Sequence, residues 1–218
     1  MQPQKWRKIE IFSAILVFLL SYLFVAVIFF AKWPNWWEWT VPERSPMTWL
    51  QSLLLFSNAL AASILVIWNY LQSDKSKMFW WALLALGFAY LMLDERFAIH
   101  ERIRDLYLAP NQIKIPVFFW TSDGDFILLL YGLIAMLFIF PYFKLFQVRK
   151  AAVYWVISSF SVAVISISMD SISFKSYPRI VQNIQQFSEE ILEIFVMNSF
   201  LIALLFVLSF SIQQTWKR

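Results

Sequence analysis

Long apolar segments constrain this chain more than any other feature of its sequence. A helix needs roughly 20 mostly apolar residues to cross about 30 Å of hydrocarbon, and several segments of the chain reach that length. We therefore predict an all-α integral membrane protein, a bundle of six transmembrane helices forming one transmembrane domain over residues 1–218. The predicted helices cover about 11–31, 47–71, 78–108, 126–146, 151–173 and 179–212.

The composition excludes several classes of functional site. Charged residues make up 15% of the chain, whereas soluble domains carry about a quarter. The absence of cysteine removes disulfides, thiolate metal sites and cysteine nucleophiles. With three glycines in the chain, no glycine-rich phosphate loop is expected. The single histidine, His100, excludes a three-histidine zinc site within one chain.

The distribution of basic residues predicts the orientation. Cytoplasmic loops of membrane proteins are enriched in lysine and arginine. If the N-terminus is cytoplasmic, ten of the eighteen basic residues fall on that side, and so does the C-terminus. These residues are Lys5, Arg7, Lys8, Lys75, Lys77, Lys144, Arg149, Lys150, Lys217 and Arg218. They would meet anionic lipid head groups, so the bilayer is the expected partner and nucleic acid is not.

Acidic residues cluster near the outer ends of three predicted helices. In an uninterrupted third helix, Asp94 and Glu101 lie two turns apart and differ by only about 20° in azimuth, which predicts one acidic stripe. His100 lies beside that stripe, and Asp170 is near the end of the fifth helix. In the sixth helix the acidic residues share a sector of roughly 100°. They are Glu189, Glu190 and Glu193.

The depth of these acids indicates a common site. At 1.5 Å per residue, Asp94 lies about 24 Å, Asp170 about 28 Å and Glu193 about 30 Å from the cytoplasmic ends of their helices. Carboxylates at this depth are costly unless they are paired, protonated or hydrated, and like charges repel, so a cation or shared protons would stabilise them. The predicted metal ligands are Asp94, His100, Glu101, Asp170, Glu190 and Glu193. Their oxygen-rich set favours Mn²⁺, Fe²⁺, Ca²⁺ or Mg²⁺.

Other interpretations of these acids stay open at this point. They could be solvated or paired with arginines, or they could exchange protons without a metal. Asp123 and Asp125 flank a glycine and are best read as a turn and a helix N-cap. The tryptophans of the first outer loop are typical of an interfacial aromatic belt. They are Trp33, Trp36, Trp37 and Trp39.

The spacing of the acids resembles that of a group of uncharacterised bacterial multi-pass membrane proteins. Their pattern is an Asp-Glu…His-Glu helix end, one buried acid in a later helix, and a Glu-Glu-x-x-Glu start of the last helix. The matching residues are Asp94, Glu95, His100, Glu101, Asp170, Glu189, Glu190 and Glu193. The resemblance implies a shared acidic site and no particular activity. Zinc hydrolases of the alkaline ceramidase and adiponectin receptor type are rejected, because their site needs three histidines.

The leading functional expectation is an outward-facing divalent-cation site that serves cation binding or transport. The alternatives are a membrane metalloenzyme acting on a lipid, a quinone or a small periplasmic substrate, and an accessory or structural subunit without a metal. The apolar inner halves of the third and sixth helices count against a deep conduction path. We expect a bacterial inner (plasma) membrane, with a thylakoid membrane as the alternative. A homo-oligomer or a membrane partner stays open, as does whether the protein is an enzyme.

Overall fold

The protein folds into a bundle of α-helices. The computed structural model describes residues 3–42, 44–113, 115–116, 126–170 and 177–215, without the side chains of residues 3, 4, 128 and 170. Among these residues there is no β-strand. The helices are α1 (Pro3–Ala31), α2 (Trp37–Thr40), α3 (Pro46–Leu71), α4 (Lys75–Phe97), α5 (Ile99–Ile103), a π-helical turn (Arg104–Leu108), α6 (Phe126–Leu137), α7 (Ile139–Phe146), α8 (Lys150–Asp170) and α9 (Arg179–Thr215).

Five of these helices are long and apolar enough to cross a membrane, namely α1, α3, α4, α8 and α9. The α6–α7 pair adds a sixth crossing if its two helices, bent by 58° between them, form one span. The prediction of an all-α protein with membrane-crossing helices is therefore confirmed. The described part of α9 is 37 residues long, which is about 55 Å at 1.5 Å per residue and far more than one hydrocarbon core requires.

Local sequence explains where the inner helices start and bend. The Ser45 hydroxyl caps α3 by accepting hydrogen bonds from the backbone N–H groups of Met47 and Thr48, and Pro46 occupies the first helical position, where an N–H would have no partner. Between α6 and α7, Pro141 follows the break at Phe138 by three residues. Its ring conflicts with the carbonyl of Leu137, four residues earlier, which accounts for the bend.

Contacts between helices establish their directions. Gln51 and Asn58 of α3 bond to Glu190 and Met197 of α9, so both pairs are separated by 139 residues and the two helices run parallel. Helix α1 meets α9 in the opposite order, because Glu10 bonds to Ser209 and Ser21 bonds to Asn198. Helix α8 does the same through Ser159–Val196 and Met169–Gln185. Helix α4 is also antiparallel to α9, because Phe88 contacts Phe200 and Glu95 lies near Glu190.

Helices α3 and α9 form the centre of the bundle. Half of the most apolar window of each is buried, compared with 17% for α1 and for α4. Fully buried side chains of these two central helices include Met47, Leu65 and Ile202. The outer helices instead expose large apolar side chains such as Phe12 and Leu86, as expected for helices that face lipid.

The start of α1 and the end of α9 lie at the same end of the bundle, here called the terminal end. The buried Glu10 carboxylate of α1 pairs there with Arg149, in the turn between α7 and α8. Ser209 of α9 donates to the other Glu10 oxygen at 3.3 Å. A carboxylate thus links the start of α1, the α7–α8 turn and the last turns of α9. The opposite end, where α4 and α8 finish, is called the carboxylate end.

An aromatic corner joins α1 and α2 to α9 at the carboxylate end. The Trp36 ring lies 5.4 Å from Phe29 and 5.2 Å from Phe187, measured between ring centroids. Trp36 is buried, whereas Trp33 is 64% exposed. Trp36, in the segment between α1 and α3, therefore serves helix packing, whereas the exposed Trp33 fits an interfacial aromatic belt.

The predicted helix boundaries need two corrections. The predicted third helix, 78–108, is not continuous, because α4 ends at Phe97 and is followed by α5 and the π-helical turn. The predicted fourth helix, 126–146, is broken at Phe138. The other predictions differ mainly at the ends: α1 begins at Pro3 rather than 11, and α9 extends to Thr215 rather than 212.

Candidate functional site

Two acidic residues of α9 share one amide donor from α3. The Gln51 side-chain Nε2 lies 2.6 Å from Oε2 of Glu190 and 3.0 Å from Oε2 of Glu193. The two glutamates are three residues apart and so occupy one face of α9. We call Gln51, Glu190 and Glu193 the Gln51 site. It lies near the start of α3, at the carboxylate end.

The amide of Gln51 is only half satisfied. Its side chain is 0% exposed, and within the described residues its Oε1 atom has no hydrogen-bond partner. A buried carbonyl-type oxygen without a partner costs about 1–3 kcal/mol. The Gln51 amide therefore donates to both carboxylates through Nε2, while its Oε1 atom still needs a donor or a cation.

Further negative charge surrounds the Gln51 site. Glu193, Glu95 and Glu189 all lie close enough to Glu190 to act on it electrostatically. Glu95 comes from α4 and the others from α9. Glu95 of α4 and Glu190 of α9 therefore lie at a common level, whereas the prediction concerned Asp94, Asp170 and Glu193. In a medium of low polarity such a group of carboxylates requires compensating positive charge or protons.

Asp94 forms a second centre with His100. Asp94 is 4% exposed, and its Oδ1 accepts a hydrogen bond from the His100 backbone N–H at 2.7 Å. Its Oδ2 lies 2.8 Å from the Nδ1 atom of the same residue. We call this pair the Asp94–His100 dyad. Both Asp94 oxygens are thus engaged by one neighbour in the same chain segment.

A left-handed residue makes this arrangement possible. Ala98 ends α4 with φ 50° and ψ 50°, a conformation that costs a non-glycine residue roughly 1–2 kcal/mol. The turn redirects the chain so that His100, in the first turn of α5, faces back toward Asp94. Asp94 thereby caps α5, whose N-cap residue, Ala98, has no side chain able to do so.

The predicted stripe of Asp94 and Glu101 is wrong. It assumed a continuous helix through residue 101, but the break at Ala98 rotates the following residues. His100 therefore contacts Asp94, and Glu101 lies 3.8 Å from the Arg104 guanidinium instead. The local preference of Asp94 to cap a free N–H group overrides the helical periodicity.

Two tyrosines extend the dyad toward α6. The hydroxyl groups of Tyr90 in α4 and Tyr131 in α6 are hydrogen-bonded to each other. The rings of His100 and Tyr131 are edge to face, with 6.5 Å between their centroids. The negative charge of Asp94 also acts on Tyr131. Neither tyrosine was predicted from the sequence as a site residue, since tyrosines near a membrane boundary are common.

The remaining predicted ligands add no complete metal site. Asp170 is the last residue of α8, beside Met169, whose carbonyl accepts a bond from Gln185 of α9 at 3.2 Å; its side chain lies outside the described residues. Asp123 and Asp125, predicted as a turn and a cap, also lie outside them. In the part of the chain that the structure describes, no group of three or more histidine, aspartate and glutamate side chains is arranged to hold a metal ion.

From the Gln51 site toward the terminal end, the described polar contacts between α9 and its neighbours continue for about two turns of α9. Asn58 bonds to the Met197 carbonyl at 3.0 Å, and Ser21 bonds to Asn198 at 3.0 Å. Ser199 is also buried, and beyond it the buried side chains of α9 are apolar as far as Ser209, including those of Leu204 and Val207. Ser199 and Ser209 are ten residues apart, which at 1.5 Å per residue gives an apolar layer of about 15 Å.

Comparison with known proteins identifies a family. The family model described as "Domain of unknown function (DUF8692)" matches residues 20–208. No curated protein and no solved structure has significant similarity to the chain. The matched segment runs from within α1 to the last turns of α9 and contains both the Gln51 site and the Asp94–His100 dyad. The protein therefore belongs to the DUF8692 family.

Proposed function

We propose that this membrane protein binds a divalent cation at the Gln51 site, on the outer side of a bacterial inner membrane and with both termini in the cytoplasm. The observation that carries the proposal is the unpartnered Gln51 Oε1 atom, fully buried beside two carboxylates. Mn²⁺, Fe²⁺, Ca²⁺ and Mg²⁺ all accept oxygen ligands of this kind. The orientation rests on the basic residues of the terminal end.

Rotation of one amide would convert the site between an empty and a bound form. The oxygen and nitrogen of a glutamine amide occupy nearly equivalent positions. In the arrangement described above, Nε2 donates to Glu190 and Glu193. Rotated by 180°, the amide directs Oε1 at the same place, where three oxygens repel unless a cation lies among them. A bound cation would therefore contact the otherwise unpartnered Gln51 oxygen and balance the negative charge of Glu190 and Glu193.

The dyad is not a ligand in this proposal. Both oxygens of Asp94 already accept hydrogen bonds from His100, and Glu101 is drawn toward Arg104. The ligand set thus contracts from the six residues expected from sequence to Glu190, Glu193 and the newly included Gln51. Asp170 stays a proposed further ligand, together with water.

Binding fits the bundle better than conduction. An ion that left the Gln51 site for the terminal end would have to cross the apolar layer between Ser199 and Ser209. Removing a charge from water into such a layer is costly without polar partners. We therefore propose a site that opens toward the carboxylate end alone.

Elemental analysis by mass spectrometry tests this proposal on detergent-purified protein supplied with each of the four metals. We expect one metal ion per wild-type chain, and at least a tenfold lower content in Gln51→Leu and in Glu193→Gln. Asp105→Asn is the matched control, because Asp105 is an exposed acid on the π-helical turn, paired with Arg104, and should keep the wild-type content. Size-exclusion profiles report whether each variant is folded. Metal-free wild-type protein, or full metal content in both site variants, would refute the proposal.

A further inference from the structure

The Asp94–His100 dyad has the geometry of a general base. With Nδ1 directed at the Asp94 carboxylate 2.8 Å away, the imidazole carries its proton on Nδ1 and its lone pair on Nε2. A carboxylate in this position fixes the tautomer, orients the ring and stabilises the imidazolium formed when Nε2 takes a proton. The His100 side chain is 22% exposed, whereas that of Asp94 is 6% exposed. The orienting group is therefore buried and the basic ring is accessible.

Capping of α5 accounts for only part of this arrangement. A cap requires the bond from the His100 backbone N–H to Asp94 Oδ1. The second bond, between the ring and Oδ2, is not needed to start a helix. The left-handed backbone conformation of Ala98, which permits both bonds, is itself unfavourable in free energy. Such conformations persist where the surrounding contacts hold them in place, often at functional sites.

Phenol donors lie beside the imidazole. Tyr131 contacts the His100 ring edge to face and shares a hydrogen bond with Tyr90. A tyrosine hydroxyl can donate to an oxyanion that develops when a carbonyl carbon is attacked. A base and a potential oxyanion donor are thus neighbours, contributed by α5 and α6.

The surroundings of the dyad favour a lipid substrate. Asp94 lies three residues before the end of α4 at Phe97, and hence near the edge of the hydrocarbon. Leu93 and Phe97 are 42% and 51% exposed, and Tyr90 is 41% exposed. An apolar surface that faces the bilayer can hold acyl chains, while the dyad lies at the depth of the polar interface. The ester carbonyls of glycerolipids occupy that depth.

We propose that the Asp94–His100 dyad hydrolyses an acyl ester of a glycerolipid. His100 Nε2 takes a proton from water, and the hydroxide oxygen bonds to the ester carbonyl carbon, whose oxygen becomes an oxyanion that accepts a hydrogen bond from Tyr131. When the intermediate collapses, the bond from carbon to the alcohol oxygen breaks and the leaving alkoxide takes the proton from the imidazolium. The products are a fatty acid and an alcohol, and no oxidant or reductant is needed. The step uses none of the residues of the Gln51 site.

The test follows oxygen from labelled water into the released fatty acid. Purified protein in detergent micelles receives a diacyl phosphatidylglycerol or a diacylglycerol in H₂¹⁸O, and mass spectrometry counts fatty acid carrying one ¹⁸O. Release from either lipid supports the proposal, and comparison of the two shows whether the phosphate head group is required. Release by the wild type no greater than by His100→Ala would overturn it.

Variants separate catalysis from folding. General-base catalysis contributes typically 10²–10⁴-fold, so we expect His100→Ala to lose at least 100-fold, with part of the rate restored by added imidazole. Asp94 is a positioning residue, and Asp94→Asn should reduce the rate and alter its pH profile, which a purely structural role would not do. The control for Tyr131→Phe is Tyr107→Phe, because Tyr107 is an exposed tyrosine on the π-helical turn. Equal rates in wild type and Tyr131→Phe would remove Tyr131 from the mechanism, and unaltered rates in Asp94→Asn would overturn the dyad.

Discussion

The ion pair at the terminal end offers the sharpest test of how the bundle is held together. Glu10 and Arg149 belong to α1 and to the α7–α8 turn, and their side chains are 4% and 33% exposed. Arg149→Met would leave a buried carboxylate with the Ser209 hydroxyl as its remaining described partner. Glu10→Met would leave a guanidinium that still reaches solvent. The two substitutions break the same contact but should not cost the same free energy.

The magnitudes follow from the two exposures. Removing one partner of a fully buried ion pair costs about 3–5 kcal/mol. Arg149→Met leaves the buried Glu10 carboxylate without its cation, so we expect a loss of about 3 kcal/mol in the free energy of unfolding. For Glu10→Met we expect about 1–2 kcal/mol, because the remaining cation is a third exposed and can be hydrated. The double variant leaves no unpaired charge. It should therefore be more stable than the sum of the single effects predicts, with a coupling free energy of about 1–2 kcal/mol.

Equilibrium unfolding in mixed detergent micelles, with increasing sodium dodecyl sulfate, measures these free energies. Lys150→Met serves as the control, since Lys150 neighbours Arg149 and is exposed. Its free energy of unfolding should change by no more than about 0.5 kcal/mol. Additive single effects, or an Arg149→Met cost no larger than that of Lys150→Met, would refute the assignment of a buried ion pair that joins α1 to the α7–α8 turn.

Three further substitutions probe separate parts of the fold. Ala98→Gly should stabilise the protein by about 0.5–1 kcal/mol, because glycine adopts the left-handed conformation without steric cost; a lower thermal midpoint would contradict this. Asp74 caps α4, and hydrogen bonds from the Lys77 side chain and backbone N–H lower the pKa of its carboxyl group. The stability that this charged cap contributes is therefore present above the unfolded pKa of about 3.9, and it is lost as the pH falls through the lower pKa of the folded state. Asp74→Ala should accordingly cost about 1 kcal/mol at neutral pH and less at acidic pH, and a pH-independent difference in unfolding free energy would exclude the charged cap. Asn58→Leu loses two hydrogen bonds, to the Leu54 carbonyl within α3 and to the Met197 carbonyl of α9, but it also removes an unpartnered buried oxygen. We therefore expect a stability change below about 1 kcal/mol, and a larger loss would show that Asn58 holds α3 and α9 together.

Much of the architecture could be predicted from local sequence. The predicted helix 47–71 differs from α3, Pro46–Leu71, by one residue, because a serine cap and a proline mark its start. The depths of Asp94, Asp170 and Glu193 were predicted in the same way, since a helix rises by a fixed distance per residue. The acids that the structure places near Glu190 are Glu193, Glu95 and Glu189.

The partners of the site residues could not be predicted in the same way. No glycine or proline marks the break at Ala98, so the periodic argument placed Glu101 rather than His100 next to Asp94. Gln51 was overlooked because a single amide in an apolar helix has many roles, of which helix packing is the most common. A signal was present in the sequence: Gln51 is a long polar residue within the first turns of a helix that is otherwise mostly apolar.

The sequence by itself determined that several helices are long and apolar enough to cross a membrane, and where most of them lie. These properties depend on segment length and on hydropathy, which are local. The tertiary structure decided that Gln51 lies between Glu190 and Glu193 and that Asp94 holds His100. Lipid tails and protein interior are equally apolar, so the pattern of apolar residues does not reveal which face of a transmembrane helix turns inward. Which polar groups meet is set by the rotation and packing of the helices, and only the folded bundle contains that information.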